Sequence, residues 1–279
     1  MLFKTFAPDS RLNPFVRFYW FLEPGISDEG HRLLPGSGND IIVQIGPPAT
    51  YKYGDSDWRM REPIGFVEGT FNTHFFVRFP AKCFLAGIRF RSTGLFHFVR
   101  TPVMEFREKF VDLELVFGSD GHRLIDALGN NRPLAMIPAI LDHFLLKVLN
   151  VRDVNTGLQK AVDALVCSHG MVTVSDLCRA ADLKERRLER AFERHVGVSP
   201  QRLSQILRVN RFIRLVRMSS SCSFTRLSFE CGFADQSHLI RTFKKHTGLS
   251  PREYFKTSHP IDEALSAEHS PRTLLESHF

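Results

Sequence analysis

The chain repeats part of itself once. Leu188, Arg190, Phe192, His195, Gly197, Ser199 and Pro200 recur as Leu239, Arg241, Phe243, His246, Gly248, Ser250 and Pro251, each pair 51 residues apart. Agreement of that kind does not arise by chance, so the region holds two copies of one unit. Two copies make a duplicated module rather than a solenoid, and the spacing fixes how large one unit can be.

Each copy reads as a short helix, a turn and a second helix. In the later copy, SFTRLSFEC contains the short helix, Leu227 to Cys231, and Gly232 closes it. Phe233-Ala234-Asp235 is a tight connection with Asp235 as N-cap. The helix QSHLIRTFKKH follows and stops at Gly248, with Leu239 and Phe243 on one face. Ser250-Pro251 opens another helix, with Pro at its first position. In the earlier copy Val174 to Ala181 is the short helix and Glu185 to Val196 the second, and Ser199-Pro200 opens the next. Between the copies, SQILRVNRFIRLVRMS reads as one helix. Ile206, Val209, Ile213 and Val216 form its apolar stripe, and Arg208, Arg211, Arg214 and Arg217 lie on other faces, toward phosphate or solvent.

Charge follows the duplication. The formal net charge of the 279-residue chain is +7, but residues 151–258 carry 19 Lys/Arg against 10 Asp/Glu, leaving the remainder slightly acidic. A basic module fits a polyanionic partner; charge alone fits a solvated basic face equally well.

The motif decides between them. GFADQSHLIRTFKKHTGLSP and the earlier LERAFERHVGVSP resemble the two helix-turn-helix units of the AraC/XylS family of bacterial transcription regulators, and the resemblance covers about residues 156 to 256. Three positions depart from the family pattern: Lys184 stands where a capping Ser is usual, Leu203 where an aromatic is usual, and Ser228 where a small Ala is usual. The resemblance implies an all-α domain with two helix-turn-helix units joined by a linker helix, reading double-stranded DNA in two successive major grooves about 34 Å apart.

With Leu188 and Phe192 turned inward, Arg186, Glu189 and Arg190 face the groove. Arg would hold guanine with two bonds and Glu would accept from cytosine, or Glu189 balances its arginine neighbours. With Leu239 and Phe243 inward, Gln236, Ser237, His238 and Arg241 face outward, the positions at which the family contacts bases. Ile240 lies near that side, against a thymine methyl or solvent. Lys244, Lys245, His195 and His246 fit phosphate contacts, and either His fits a packed side chain as well.

The front half reads differently. Phe18 to Leu22, Ile41 to Ile45, IGFVEG, THFFVRF and CFLAGIRFR are short strands separated by Gly, Pro and Asn, which predicts a small antiparallel barrel or sandwich. Asn13-Pro14 starts one helical turn. Tyr19-Trp20, the P-G-x-G-x-D-I-I turn at Pro35 and the later Gly87-Ile88-Arg89-Phe90 are similar to the cupin-like sensor domains that precede the DNA-binding module in many of these regulators. The whole is then α+β: a small antiparallel β barrel, cupin-like, with helices, followed by the all-α module.

Among 26 Phe, Phe75, Phe76, Phe79, Phe84 and Phe90 either line a pocket for a small-molecule effector or fill the barrel core. Asp40 and Arg89 pair inside the sensor or lie on its surface. TGLFHFVRTPVMEF reads as a helix stopped near Pro102, HRLIDALGN as another ended by Gly129-Asn130, and IPAILDHFLLKVLN as a third, with Ile140, Phe144, Leu145 and Val148 on one face for a homodimer interface or for packing within the domain. VRDVNT is a linker. The expected divisions are residues 1–150 for the sensor, 151–258 for DNA binding and 259–279 for a mobile tail with a marginal helix at Ile261 to Ala267.

These features set the function expected: a sequence-specific transcription regulator, not an enzyme, whose front half senses a small molecule or mediates dimerisation, with RNA polymerase as a partner if it activates. The alternative is an enzyme tethered to DNA by such a module. Against it, the sequence has no cysteine cluster, no Ser/His/Asp constellation and no Gly-rich phosphate loop. His31, His74 and His97 lack metal-site spacing, so neither a metal nor another cofactor is expected. Five cysteines without C-x-x-C spacing, and no signal-peptide or membrane-length apolar run, give the expectation of a cytoplasmic chain with no membrane partner.

Overall fold

The computed structural model describes residues 1–25, 30–36, 38–53, 57–60, 64–129, 133–218 and 223–261. The strands are β1 (Leu2–Phe6), β2 (Val16–Glu23), β3 (His31–Leu33), β4 (Asp40–Ile45), β5 (Thr50–Tyr53), β6 (Arg59–Met60), β7 (Gly65–Glu68), β8 (Phe75–Arg78), β9 (Phe84–Phe90) and β10 (Phe110–Asp112). The α-helices are α1 (Leu113–Phe117), α2 (Ser119–Gly129), α3 (Ile137–Val148), α4 (Thr156–Cys167), α5 (Val174–Ala181), α6 (Glu185–His195), α7 (Pro200–Met218), α8 (Phe224–Glu230), α9 (Gln236–Thr247) and α10 (Pro251–Tyr254).

The strands form two antiparallel sheets, not a closed barrel. One runs β1-β2-β9-β4-β7-β10 and the other β3-β8-β5-β6. Alternation along β4 explains the layering. Ile41 and Val43 face one side and pack with Ile88, Val67 and residues of α2 and α3, such as Leu124 and Leu141. Ile42 faces the other side and packs with Trp20, Phe66 and, from the smaller sheet, Tyr51, Phe75 and Val77. A strand buried on both faces reads as a continuous apolar run, which is what DIIVQI shows.

TGLFHFVRTPVMEF is not an α-helix. It forms two 3-10 turns, Gly94–His97 and Val103–Phe106, on either side of Pro102. A Cβ on Gly94 would lie 1.9 Å from the Phe15 carbonyl oxygen, so tight packing on the preceding loop fixes this segment. The single early turn is also 3-10 and falls at Ser10–Leu12, just before Asn13-Pro14. Helix α3 buries Ile137, Leu141, Phe144 and Leu145 in the core of its own half; of the face read for a dimer or for internal packing, Phe144 and Leu145 are buried there and Ile140 and Val148 are half-buried against the same core. The segment expected as a mobile tail begins differently: His259 stacks on Tyr254 with ring centroids 4.2 Å apart, and Ile261 is buried among the sensor's aromatic residues. The rest of the expected tail and its marginal helix, together with Asn130, lie outside the described residues.

Candidate nucleic-acid interface

Both copies of the repeat build the same local geometry. In the first, Thr173 caps α5 by accepting from the Asp176 amide at 3.2 Å, and Asp182, left-handed at φ 52°, ends the helix. Helix α6 begins at Glu185 although Lys184 supplies no side-chain cap. Leu188 and Phe192 are fully buried against α4 and α5. In the second copy the Asp235 carboxylate accepts from the His238 amide at 2.7 Å and starts α9, whose Leu239 and Phe243 are fully buried. Ser250 and Glu253 form a reciprocal capping box that opens α10.

Burial on one face leaves the other free. Arg186, Glu189 and Arg190 on α6 and Ser237, Arg241, Lys244 and Lys245 on α9 are all exposed. None of the seven makes a side-chain hydrogen bond or ion pair among the described residues. Gln236 and His238 are half-buried: the Gln236 carbonyl accepts from Thr225 at 2.8 Å, and the His238 ring sits edge-on to Phe233. Ile240 is 38% exposed.

The two histidines expected at phosphates are elsewhere. His246 is buried, neither ring nitrogen finds a partner among the described residues, and desolvation pushes its pKa down to about 3. His195 packs on Phe96 with ring centroids 4.2 Å apart and bonds the Ala191 carbonyl, and burial lowers its pKa too. Both face the front half of the chain, His246 fully enclosed and His195 half-buried.

The linker arginines are also committed. Arg208 Nε donates to the Gly170 carbonyl at 2.6 Å and its Nη1 to the Gly232 carbonyl at 2.9 Å, joining the loop before α5 to the turn after α8. Arg211 reaches Met171, Arg214 reaches His169, and Arg217 donates to the Tyr254 hydroxyl at 3.1 Å. Only a three-dimensional neighbour distinguishes these from phosphate contacts, so sequence reasoning could not assign them.

The front half grips the C-terminal ends of both second helices. Asn39 Nδ2 donates to the Val196 carbonyl at 3.3 Å, and Arg32 Nη1 donates to the Thr247 carbonyl at 2.5 Å. The His74 amide donates to the His246 carbonyl, and Arg202 on α7 donates to the Asn72 carbonyl. Gly197 and Gly248, both at positive φ, abut Val103 and His74; a Cβ on Gly248 would lie 2.1 Å from the His74 ring. The shared H-x-G letters of the repeat therefore face the sensor. Arg152, in the segment expected to be a plain linker, lies over the Phe96 ring at 3.6 Å and donates to the Val99 carbonyl.

Between the sheets lies a cavity whose empty space, counted with its mouth, is about 890 Å³. Trp20, Tyr51, Phe66, Phe75 and Phe79 supply aromatic wall, and Asn210 of α7 and Ile261 close one side. Phe75 and Phe79 thus line a cavity, Phe90 fills the opposite core, and Phe76 lies under Arg32. Phe84 stacks on Phe21.

A row of charge crosses the cavity's sheet wall. Arg89, Asp40 and Glu68 are paired in register across β9, β4 and β7. Arg89 holds both Asp40 oxygens, at 2.5 and 2.6 Å, deep inside the protein. Glu68 has no side-chain hydrogen bond or ion pair among the described residues. Desolvation, and then the Asp40 charge, push its pKa up to about 8. Glu68 was not singled out in the sequence, though its period-2 spacing from Phe66 is a signal that could have found it. Asn210 carried none. Among the described residues no group of side chains could hold a metal ion, and no helix is long and apolar enough to cross a membrane.

Known proteins resemble both halves. A family model described as "Helix-turn-helix domain" matches residues 177–257, and one described as "Domain of unknown function (DUF6597)" matches residues 4–112. The chain is 41% identical over 71 residues to the HTH-type transcriptional activator RhaS of Escherichia fergusonii, covering 25% of each chain. It is 35% identical over 81 residues to RhaS of an Enterobacter species, covering 29% of this chain and 28% of that one. It thus spans about a quarter of the length of the curated relatives it matches. A structure of ToxT from Vibrio cholerae aligns over 92% of this chain and 98% of that one, at 12% identity and a TM-score of 0.46.

Proposed function

We propose that the chain is a member of the AraC/XylS family of transcription regulators, a sequence-specific DNA-binding regulator whose front half responds to a small molecule. The observation that carries this reading is the equivalence of Arg190 and Arg241. Each stands two residues before the buried Phe of its copy, and each is exposed and unpaired. Duplicated, unsatisfied arginines on helix faces match the demand of base edges in successive major grooves. In this reading α5–α6 and α8–α9 are two helix-turn-helix units. Helix α7, 19 residues and so about 28 Å long, separates them. Arg186, Glu189 and Arg190 read one groove and Gln236, Ser237, His238 and Arg241 the next, with Lys244 and Lys245 on phosphates.

The functional division follows the same lines: residues 1–150 sense, and 151–258 bind DNA. Because the apolar face of α3 is spent on its own core, small-molecule sensing is favoured over dimerisation through that helix. The relatives are named as activators, which makes contact with RNA polymerase part of the proposal. An enzymatic role is not favoured: the buried charges of the front half, Asp40 and Arg89, are spent on each other.

The test is selection of bound sequences from randomised duplex DNA by the full-length protein. A discrete motif with two half-elements about one helical turn apart is expected. Retention of all sequences alike, or of none at low salt, would overturn the reading.

A further inference from the structure

The cavity between the sheets carries charge on one wall. Its wall holds one cation and two carboxylates. Arg89 Nε and Nη2 each donate to one Asp40 carboxylate oxygen, so its charge is neutralised within the wall, and no other cation lines the cavity among the described residues. Glu68 stands next in the same cross-strand row, within about 5.5 Å of Asp40 at Cβ, and has no side-chain hydrogen bond or ion pair among the described residues. It is half-buried and lines the cavity. A carboxylate in that position is costly to ionise unless a positive charge arrives beside it. The remaining wall suits a cation: Trp20, Tyr51, Phe66, Phe75 and Phe79 exclude water and offer aromatic rings, whose faces attract positive charge.

We propose that this cavity binds a small apolar or aromatic molecule bearing one positive head, a protonated amine or a quaternary ammonium, with the head at Glu68 and the body among the aromatic side chains. The inference rests on the front half being a small-molecule sensor, and adds the chemical class sensed. It also places the ligand against the DNA-reading half, because Asn210, midway along α7, lines the same cavity.

Occupation by a cation requires ionised Glu68, so binding expels the proton that burial retains there. The groups acting on Glu68 are Asp40, which favours the proton, and Arg89, which opposes it. Affinity for a permanent cation therefore rises with pH up to about 8 and falls by about tenfold for each unit below that.

Three probes of one shape separate the classes: benzyltrimethylammonium, benzyl alcohol and benzoate, titrated calorimetrically into the full-length protein and into Glu68→Gln. The cation is expected to bind most tightly, with the stated pH slope. Glu68→Gln, which keeps the volume and removes the charge, is expected to lower its affinity at least tenfold at pH 8 and abolish the slope without lowering thermal stability. Tighter binding of benzoate or the alcohol, with Glu68→Gln silent, would overturn the cationic class and leave a small-molecule sensor standing. Binding of none of the three to folded protein would overturn both.

Discussion

The carbonyls of Val196 and Thr247 occupy equivalent places in the two repeats, 51 residues apart, and each accepts a hydrogen bond from the front half, Val196 from Asn39 and Thr247 from Arg32. The front half thus holds both α6 and α9 by the same end. At α9 the donor is a cation at a helix C-terminus, where the unsatisfied carbonyls attract positive charge.

Arg32→Ala removes a charged hydrogen bond at this junction, an interaction worth about 1.5–3 kcal/mol. It is expected to raise hydrogen exchange at the C-terminal end of α9 while leaving α6 protected; Asn39→Ala is expected to do the reverse. Equal loosening of both helices by either variant would show that the two grips are not independent.

Acid should release the junction. His246, His74 and His97 are held near pKa 3, 4 and 4, mainly by burial, with Arg202, Arg32 and Arg152 adding repulsion. An imidazole depressed in the folded state takes its proton preferentially when opened. Each such group therefore costs no stability above about pH 6.5 and up to about 1.4 kcal/mol per unit below it, until its folded pKa is reached. Glu68 acts in the opposite sense: its raised pKa favours the folded state as pH falls from about 8. Thermal stability is therefore expected to peak between pH 6 and 7, where the Glu68 carboxyl has regained its proton and the buried imidazoles are not yet under demand for one. His246→Leu is expected to flatten the acid side and, by removing two unpartnered buried nitrogens, to gain about 1 kcal/mol. An acid limb unchanged in the variant would contradict this.

Arg208 fixes the spacing of the two units through Gly170 and Gly232. Arg208→Ala is expected to weaken binding to a full site by about tenfold or more, at about 1.4 kcal/mol per decade, while base preferences within each half-element persist. Relaxed tolerance of half-element spacing, measured on sites lengthened by one or two base pairs, is the signature. Unaltered spacing preference would mean that packing around α7 sets the distance alone.

How much of this was legible in the sequence follows from interaction range. Strands β4 and β9 and helices α5, α6 and α9 could be read because apolar periodicity, caps and glycines act within a few residues; α5 begins and ends where expected. Strands β3 and β5 were not read, since HRL and TYKY are short and become strands only by pairing with β8 on either side. The barrel became two open sheets because strand closure is a long-range property. At the candidate interface the outward arginines were legible from the inward Leu and Phe. The fate of His195, His246 and the α7 arginines was not, because it depends on Phe96, His74 and Gly170, far away in sequence.

Arg190 and Arg241 are proposed to read two separate places on DNA. Full-length protein, Arg190→Ala and Arg241→Ala should each be used to select sites from randomised duplex DNA. Loss of a bidentate guanine contact costs about 1–3 kcal/mol and relaxes preference at that position, so the two variants should lose different positions, one in each half-element, with the larger change from Arg190→Ala. Lys244→Ala, as a phosphate contact, should weaken all sequences alike and lower the salt slope by about one. If Arg190→Ala and Arg241→Ala relax the same positions, or reduce affinity with preference intact, the two-groove assignment is contradicted.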